Sequence, residues 1–155
     1  MNILITGAGR GIGYETALLL AANANNRVIA LSRNADALAA LQQHAPKGNI
    51  DVHVCDLVAA TVPEIAALLD RYGTIDILIN NAGQLVNSRF TASTVADWQQ
   101  MWDTNVMGVV KMVQAVLPLM GGAGHPHIVN IGSMGGFQGT AKFPGLAAYS
   151  ASKAA

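Results

Sequence analysis

The sequence contains a single cysteine, Cys55, so no internal disulfide can form. Without metal-ligand spacing around it, Cys55 reads as a reduced, intracellular packing residue. Nor is there an excess of charge of either sign. Nine Lys plus Arg stand against nine Asp plus Glu, a formal net charge of +0, which denies the chain the basic field that nucleic acid or an anionic membrane surface would require. No basic segment precedes the apolar start Ile3-Leu4-Ile5. No apolar run approaches the roughly 18 residues of a membrane span. Neither a signal peptide nor a span is expected, and the cytoplasm is the expected location. What the chain has in quantity is apolar side chain: 52% of its 155 residues are hydrophobic and 12% charged. That is enough for one sizeable core in a single domain, and too apolar for a disordered chain.

The apolar residues fall into short runs without polar alternation: Asn2 to Ile5, Arg27 to Leu31, Asp51 to Cys55, Ile75 to Ile79 and His127 to Ile131. Strands buried on both faces read this way. Helical patterns lie between them over Ile12 to Ala22, Ala35 to His44, Val62 to Tyr72, and a long stretch from about Val95 to Leu117. Thr61 with Glu64 three residues on, and Gly73 beyond the end, bound the third helix by a capping box and a left-handed cap. Thr94 with Asp97 marks the start of the long helix, and Pro118 with the Gly121-Gly122 pair marks its end. Alternating strands and helices with right-handed crossovers predict an α/β fold, a doubly wound parallel sheet covered on both faces, with no repeat, linker or second domain. Ligands of such sheets sit at the carboxyl ends of the strands, where strand order reverses.

Directly after the first strand comes Thr6-Gly7-Ala8-Gly9-Arg10-Gly11-Ile12-Gly13, a glycine-rich turn opening a helix. There the backbone can approach a pyrophosphate at the positive helix end. The G-x-G-x-x-G fingerprint does not fit, because Ile12 and Tyr14 occupy its last position in the two registers, and no Gly-Lys-Ser/Thr follows to make a P-loop. The spacing that fits is T-G-x-x-x-G-x-G; a plain tight turn for close helix-strand packing is the alternative. Near the end stands Tyr149-Ser150-Ala151-Ser152-Lys153. Four residues apart on one helix face, the ammonium can approach the phenol. Tyrosine ordinarily ionises near pH ~10, and a neighbouring positive charge favours phenolate, as acid-base work near neutrality requires. The spacing alone equally describes a half-buried tyrosine beside a solvated lysine.

With these two motifs, Asn80-Asn81-Ala82-Gly83 after the fourth strand, Asn105 inside the long helix and Ser133 after the fifth strand, the chain resembles the classical short-chain dehydrogenase/reductase family from Ile3 to Ala155. The resemblance implies a Rossmann-like fold and an oxidoreductase that passes hydride between a nicotinamide cofactor and an alcohol/carbonyl substrate. Asn105, Ser133, Tyr149 and Lys153 are then the expected catalytic set. Tyr149 would exchange the proton, Ser133 would hydrogen-bond the same oxygen, Lys153 would act on Tyr149 and the nicotinamide ribose, and Asn105 would place a water leading from Lys153 to solvent. The expected cofactor contacts are Gly7, Arg10, Gly11, Ile12 and Gly13 in the turn; Ser32 and Arg33 after the second strand; Asp56, which by the resemblance would contact the adenine amino group, and Leu57 after the third; Asn81, Ala82 and Gly83 after the fourth; and Tyr149 with Lys153. Asn80-Asn81-Ala82-Gly83 would also brace the sheet. Plainer roles exist: Ser133 as a turn cap, Asn105 bonded to backbone, Arg33 a solvated loop residue, Asp56 the cap of its own turn.

Cofactor choice is read at the end of the second strand. An acid there accepts ribose hydroxyls and repels a 2'-phosphate, whereas this chain has Ser32 and then Arg33, with Arg10 nearby. NADP(H) is favoured and NAD(H) remains possible. His125 and His127 lack a third ligand and make a poor metal site. Met101, Met107, Met112 and Met120 read as core or interface packing of the long helix, and Trp98 and Trp102 as buried packing. Ser133 and Tyr149 are 16 positions apart, with Gly135, Gly136, Gly139 and Gly145 expected to make the segment flexible and to shape the substrate entrance. One-domain proteins of this kind commonly reach roughly 200 to 250 residues, so a C-terminal portion is expected to be missing, leaving the fifth strand as an apolar edge. A homo-oligomer, dimer or tetramer, is expected of the full-length protein. An inactive fragment, or a dinucleotide-binding sensor or scaffold without turnover, is the alternative.

Overall fold

In the computed structural model, which describes residues 1–121 and 124–155, the five apolar runs form five strands: β1 (Asn2–Thr6), β2 (Arg27–Ser32), β3 (Ile50–Val54), β4 (Ile77–Asn80) and β5 (His127–Asn130). All four pairings are parallel, in the order β3-β2-β1-β4-β5. The chain leaves β1 toward one edge and returns to add β4 and β5 on the other, so strand order reverses between β1 and β4. The intervening helices are α1 (Gly11–Ala21), α2 (Ala35–Gln43), α3 (Val62–Leu69), α4 (Val95–Trp102) and α5 (Gly108–Val116), with α6 (Ala147–Ala154) following β5.

Because side chains alternate across a strand, the continuous apolar runs feed two separate cores. Leu4, Ile29, Leu31 and Leu78 meet Ile65 and Leu69 of α3 and Met112 and Val116 of α5. Ile3, Ile5, Val28 and Ala30 meet Ala17 and Ala21 of α1 and Leu38 and Leu41 of α2. Each fully buried Ile or Leu contributes about 1.5–3 kcal/mol. Small side chains on α1 let that helix lie close to β1, which keeps the glycine turn tight against the sheet.

The helix signals act as their chemistry dictates. Thr61 and Glu64 form a complete capping box, and Thr94 and Asp97 form a second. Most boundaries fall within one residue of expectation, and three differ by more. The third helix closes as a 3-10 turn over Asp70–Tyr72 before Gly73, which takes φ +66°. Strand β4 starts at Ile77 rather than Ile75. The long helix is not continuous: a π-helical turn over Asp103–Met107 separates α4 from α5, and Pro118 lies within a terminal 3-10 turn, Leu117–Leu119. Gly122 of the expected terminating pair is outside the described residues.

Met101 and Met112 are buried in the core; Trp102, expected to be buried, is instead exposed at the end of α4, and Met107 is exposed in the turn that follows. The apolar edge expected at the fifth strand is present: all four β5 residues are exposed, Ile128 and Val129 at 39% and 41%. Among the described residues no helix is long and apolar enough to cross a membrane.

Candidate active site

At the carboxyl ends of β1 and β4 the backbone of the glycine turn is locked to the segment after β4. Thr6, buried at the end of β1, accepts with Oγ1 from the amides of Asn81 (3.1 Å) and Ala82 (3.0 Å). The Asn81 side chain returns the contact, donating to the carbonyls of Thr6 and Gly7, both at 3.1 Å. Asn80 donates across to Asn130 at 2.9 Å. This bracing fixes the switch point, and Thr6, absent from the expected set, is its hinge pin.

Gly7 has φ +68°, and a Cβ built on it would stand 2.7 Å from the Ala82 Cα. Gly13 lies beneath the turn, where a Cβ would overlap the Asn81 amide and approach the Gly7 carbonyl oxygen to 2.6 Å. The two glycines are therefore required by close backbone approach. Arg10, the residue capping α1, supplies no side-chain acceptor, which leaves the first-turn amides without a side-chain cap.

A cleft of about 500 Å³ opens over this turn, within the roughly 300–1,000 Å³ of ligand-binding clefts. Gly7, Gly9, Arg10, Gly11 and Ile12 of the turn line it, as do Asn81, Ala82 and Gly83 after β4. Ser32 and Arg33 after β2, and Asp56 and Leu57 after the neighbouring strand β3, line it side by side. Cys55 lines it as well, half-buried and packed against the core as expected; burial pushes its thiol pKa up. Arg10 and Arg33 are exposed at the rim. Asp56 also caps its own turn, accepting from the Val58 amide at 3.0 Å. A narrow glycine floor, uncapped helix amides and two free guanidiniums match the diphosphate and phosphate groups of a dinucleotide.

The remaining expected residues gather around α6. Asn105 sits in the π turn, whose extra residue per turn re-aims side chains relative to an α-helix. Its buried amide takes the Gln84 backbone from both sides: the Gln84 amide donates to Oδ1 at 2.8 Å, and Nδ2 donates to the Gln84 carbonyl at 2.9 Å. Nδ2 donates also to Ser152 Oγ at 2.8 Å, and Ser152 in turn donates to the Tyr149 carbonyl at 2.9 Å. Asn105 thus ties the loop after β4 to the helix carrying Tyr149 and Lys153. A Cβ on Gly83 would stand 3.4 Å from Lys153 Nζ and 3.5 Å from Asn105 Oδ1, so all three meet at one point. Lys153 donates to the Ile131 carbonyl at 2.9 Å, and burial lowers its pKa from the ordinary lysine value.

Ser133 joins this group through backbone approach. Its hydroxyl accepts from the Gly135 amide at 3.2 Å, capping the short turn Met134–Gly136. That turn lies against α6, since a Cβ on Gly136 would overlap the Lys153 carbonyl and one on Gly135 would stand 3.0 Å from Ser150 Oγ. Ser133 and Lys153 line a second, more open cleft together. Among the described residues no hydrogen bond joins Ser133, the Tyr149 phenol and Lys153, so what the chain provides is their placement on one helix face and the turn beside it. The glycine-containing segment between Ser133 and Tyr149 is tied internally rather than left loose. Lys142 donates to the Gly135 and Phe137 carbonyls, both at 2.7 Å, and Thr140 to the Met134 and Phe137 carbonyls. The Ser88 amide donates to the Gly145 carbonyl at 3.0 Å, joining the loops after β4 and β5.

Ser152 and Gln84 were not among the expected residues. Replacing Ser152 with Ala strands a buried Asn105 donor, which costs about 1–2 kcal/mol and lowers the melting temperature by roughly 2–8 °C. A thermal melt identical to wild type would show that the bridge contributes nothing.

A glycine turn at the switch point of a five-stranded parallel sheet, with a Tyr-x-x-x-Lys helix beside it, defines a Rossmann-like, doubly wound α/β protein. The family profile described as short chain dehydrogenase matches residues 1–155, and the chain belongs to that family. It is 36% identical over 155 residues to an uncharacterized oxidoreductase of Staphylococcus saprophyticus, covering 97% of this chain and 61% of that protein. The crystal structure of serine dehydrogenase from Escherichia coli superposes with TM-score 0.84 at 35% identity, over 99% of this chain and 70% of that one. A short chain dehydrogenase from Shigella flexneri complexed with NADP superposes with TM-score 0.87 at 30% identity, over 98% of this chain and 65% of that one. The chain thus spans less than two thirds of the curated relative's length.

Proposed function

We propose that the protein is an NADP(H)-dependent oxidoreductase that interconverts an alcohol and a carbonyl. The observation that carries this reading is the grouping of Asn105, Ser133 and Lys153 around the Tyr149 helix, on the same end of the sheet as the glycine-floored cleft. When bound in such a cleft, a nicotinamide dinucleotide supplies or accepts the hydride. The turn amides of Gly11, Ile12 and Gly13 would hold its diphosphate, and Asn81, Ala82 and Gly83 would border it toward the reacting end.

Tyr149 donates its phenolic proton to the developing alkoxide during reduction and removes it during oxidation. The Ser133 hydroxyl donates to the same oxygen and fixes its position. Lys153 lies on the Tyr149 face of α6 and would hold the nicotinamide ribose while its charge acts on the phenol. Asn105 acts through Gln84 and Ser152, holding the loop after β4 against that helix.

NADP(H) is favoured by Ser32 in place of an acid and by the two exposed guanidiniums of Arg10 and Arg33. The NADP complex of the Shigella relative agrees with that choice. Replacing Arg33 with Ala is expected to weaken NADPH binding about tenfold or more while NADH binding changes little, as loss of a charge-assisted phosphate contact requires. An unchanged NADPH to NADH preference in fluorescence titrations would remove Arg33 from the phosphate site. Exposed Trp102 of α4, Met107 of the π turn and Val110 of α5 support self-association as a dimer or tetramer, which sedimentation of the full-length protein measures.

A further inference from the structure

Lys111 lies on α5, outside the cleft and outside every role assigned above. Its ammonium donates to three carbonyls of one turn, those of Leu57 (3.0 Å), Val58 (2.8 Å) and Ala60 (3.0 Å). A lysine ammonium has three donors and no acceptor, so its whole hydrogen-bonding capacity is spent on a segment 51 to 54 residues earlier in the chain. No carboxylate competes for it, since among the described residues the one ion pair joins Arg27 and Asp51.

The turn it grips is also closed from within. The Asp56 carboxylate accepts from the Val58 amide at 3.0 Å, and the Asp56 carbonyl accepts from the Ala60 amide at 2.8 Å. The Leu57 side chain, 7% exposed, is buried in the core beneath α5, beside Gly108. The outer side of the same turn, Asp56 to Val58, forms a wall of the cleft. One ammonium and one leucine therefore anchor this wall to α5 from behind, leaving its cleft-facing side free.

We propose that Lys111 is a positioning residue for the adenine side of the dinucleotide site. By drawing three carbonyls back toward α5 it holds Asp56 and Leu57 at the end of β3 before any nucleotide arrives, so that binding need not order the turn. The proposal rests on the dinucleotide reading of the cleft.

The test compares Lys111→Met and Lys111→Arg with wild type in the full-length protein. Three quantities are read: the affinity for 2',5'-ADP, the affinity for nicotinamide mononucleotide, and amide hydrogen exchange over residues 56–60 without nucleotide. Lys111→Met is expected to bind 2',5'-ADP about tenfold more weakly, the loss of a charge-assisted network. Its nicotinamide mononucleotide affinity stays unchanged, and exchange at 56–60 accelerates while the strand amides keep their protection. Lys111→Arg, which retains a cation with several donors, recovers most of the 2',5'-ADP affinity.

Unchanged 2',5'-ADP binding and unchanged exchange in Lys111→Met would overturn the proposal and leave the dinucleotide reading standing. An equal loss of both fragments would also overturn it, since that marks a general weakening of the fold. A wild-type protein that binds neither fragment nor NADPH would remove the dinucleotide reading itself, and the proposal with it. Should Lys111→Met fail to fold, Lys111→Gln is put through the same three measurements and decides by the same criteria.

Discussion

The Tyr149→Phe protein is expected to turn over an alcohol or carbonyl substrate about a thousandfold more slowly in kcat/KM than wild type, with NADPH affinity within about twofold. The substitution removes one oxygen and leaves the ring, so packing of the half-buried side chain against its neighbours is conserved. Tyr149 makes no side-chain hydrogen bond among the described residues, so loss of the phenol frees no partner and should leave the melting temperature nearly unchanged. Its backbone carbonyl, which accepts from Ser152 at 2.9 Å, is unaffected. What disappears is the proton donor for the developing alkoxide, a contribution of about a hundredfold to ten-thousandfold in general acid-base catalysis. Ser133 is expected to cost less when replaced by Ala, because Tyr149 would still contact the reacting oxygen. Turnover across a carbonyl panel and NADPH titration of the same preparations separate chemistry from binding. Undiminished turnover in Tyr149→Phe would remove the tyrosine from the proton-transfer step.

The parts of this molecule that depend on local chemistry were legible in the sequence, and those that depend on distant chain segments were not. Apolar runs without alternation predicted a doubly covered parallel sheet, because a strand between two helical layers needs apolar side chains on both faces. Both Thr-x-x-acid caps formed because donor and acceptor lie within one turn of each other. The glycine turn was legible through its spacing, although the spacing alone could not reveal that Gly13 is demanded by Asn81, 68 positions downstream by number. The π turn at Asn105 was not legible because it covers only the five residues Asp103–Met107, fewer than the roughly 11–18 over which a helical period is read. Ser152 and Lys111 were missed for the same reason: each serves partners roughly 50 positions away, Asn105 and the turn after β3. A lysine in a helix reads as a solvated face until the fold brings carbonyls to its end.

The glycine floor carries the second large effect. Gly13→Ala is expected to lower NADPH affinity by at least about a hundredfold and to reduce the melting temperature by roughly 3–10 °C, from an overpacking cost of about 1–3 kcal/mol. The new methyl would overlap the Asn81 amide and press on the Gly7 carbonyl at 2.6 Å. Neither obstacle can yield freely. The carbonyl is backbone, and the Asn81 side chain is held by the Thr6 and Gly7 carbonyls at 3.1 Å each. Relief therefore moves the turn itself, and with it the amides expected to hold the diphosphate. Gly9→Ala makes the informative contrast. There the obstacle at 2.6 Å is the Ser32 hydroxyl, at the end of a side chain that can rotate, although the Ala37 methyl at 3.3 Å keeps the position close. Its melting temperature should fall less than that of Gly13→Ala. Its effect should fall on the Ser32-Arg33 end of the cleft, lowering NADPH affinity more than that for nicotinamide mononucleotide. Equal losses in the two variants across thermal melts and both titrations would mean that the turn responds as one loose loop, and that the bracing by Thr6 and Asn81 does not hold it.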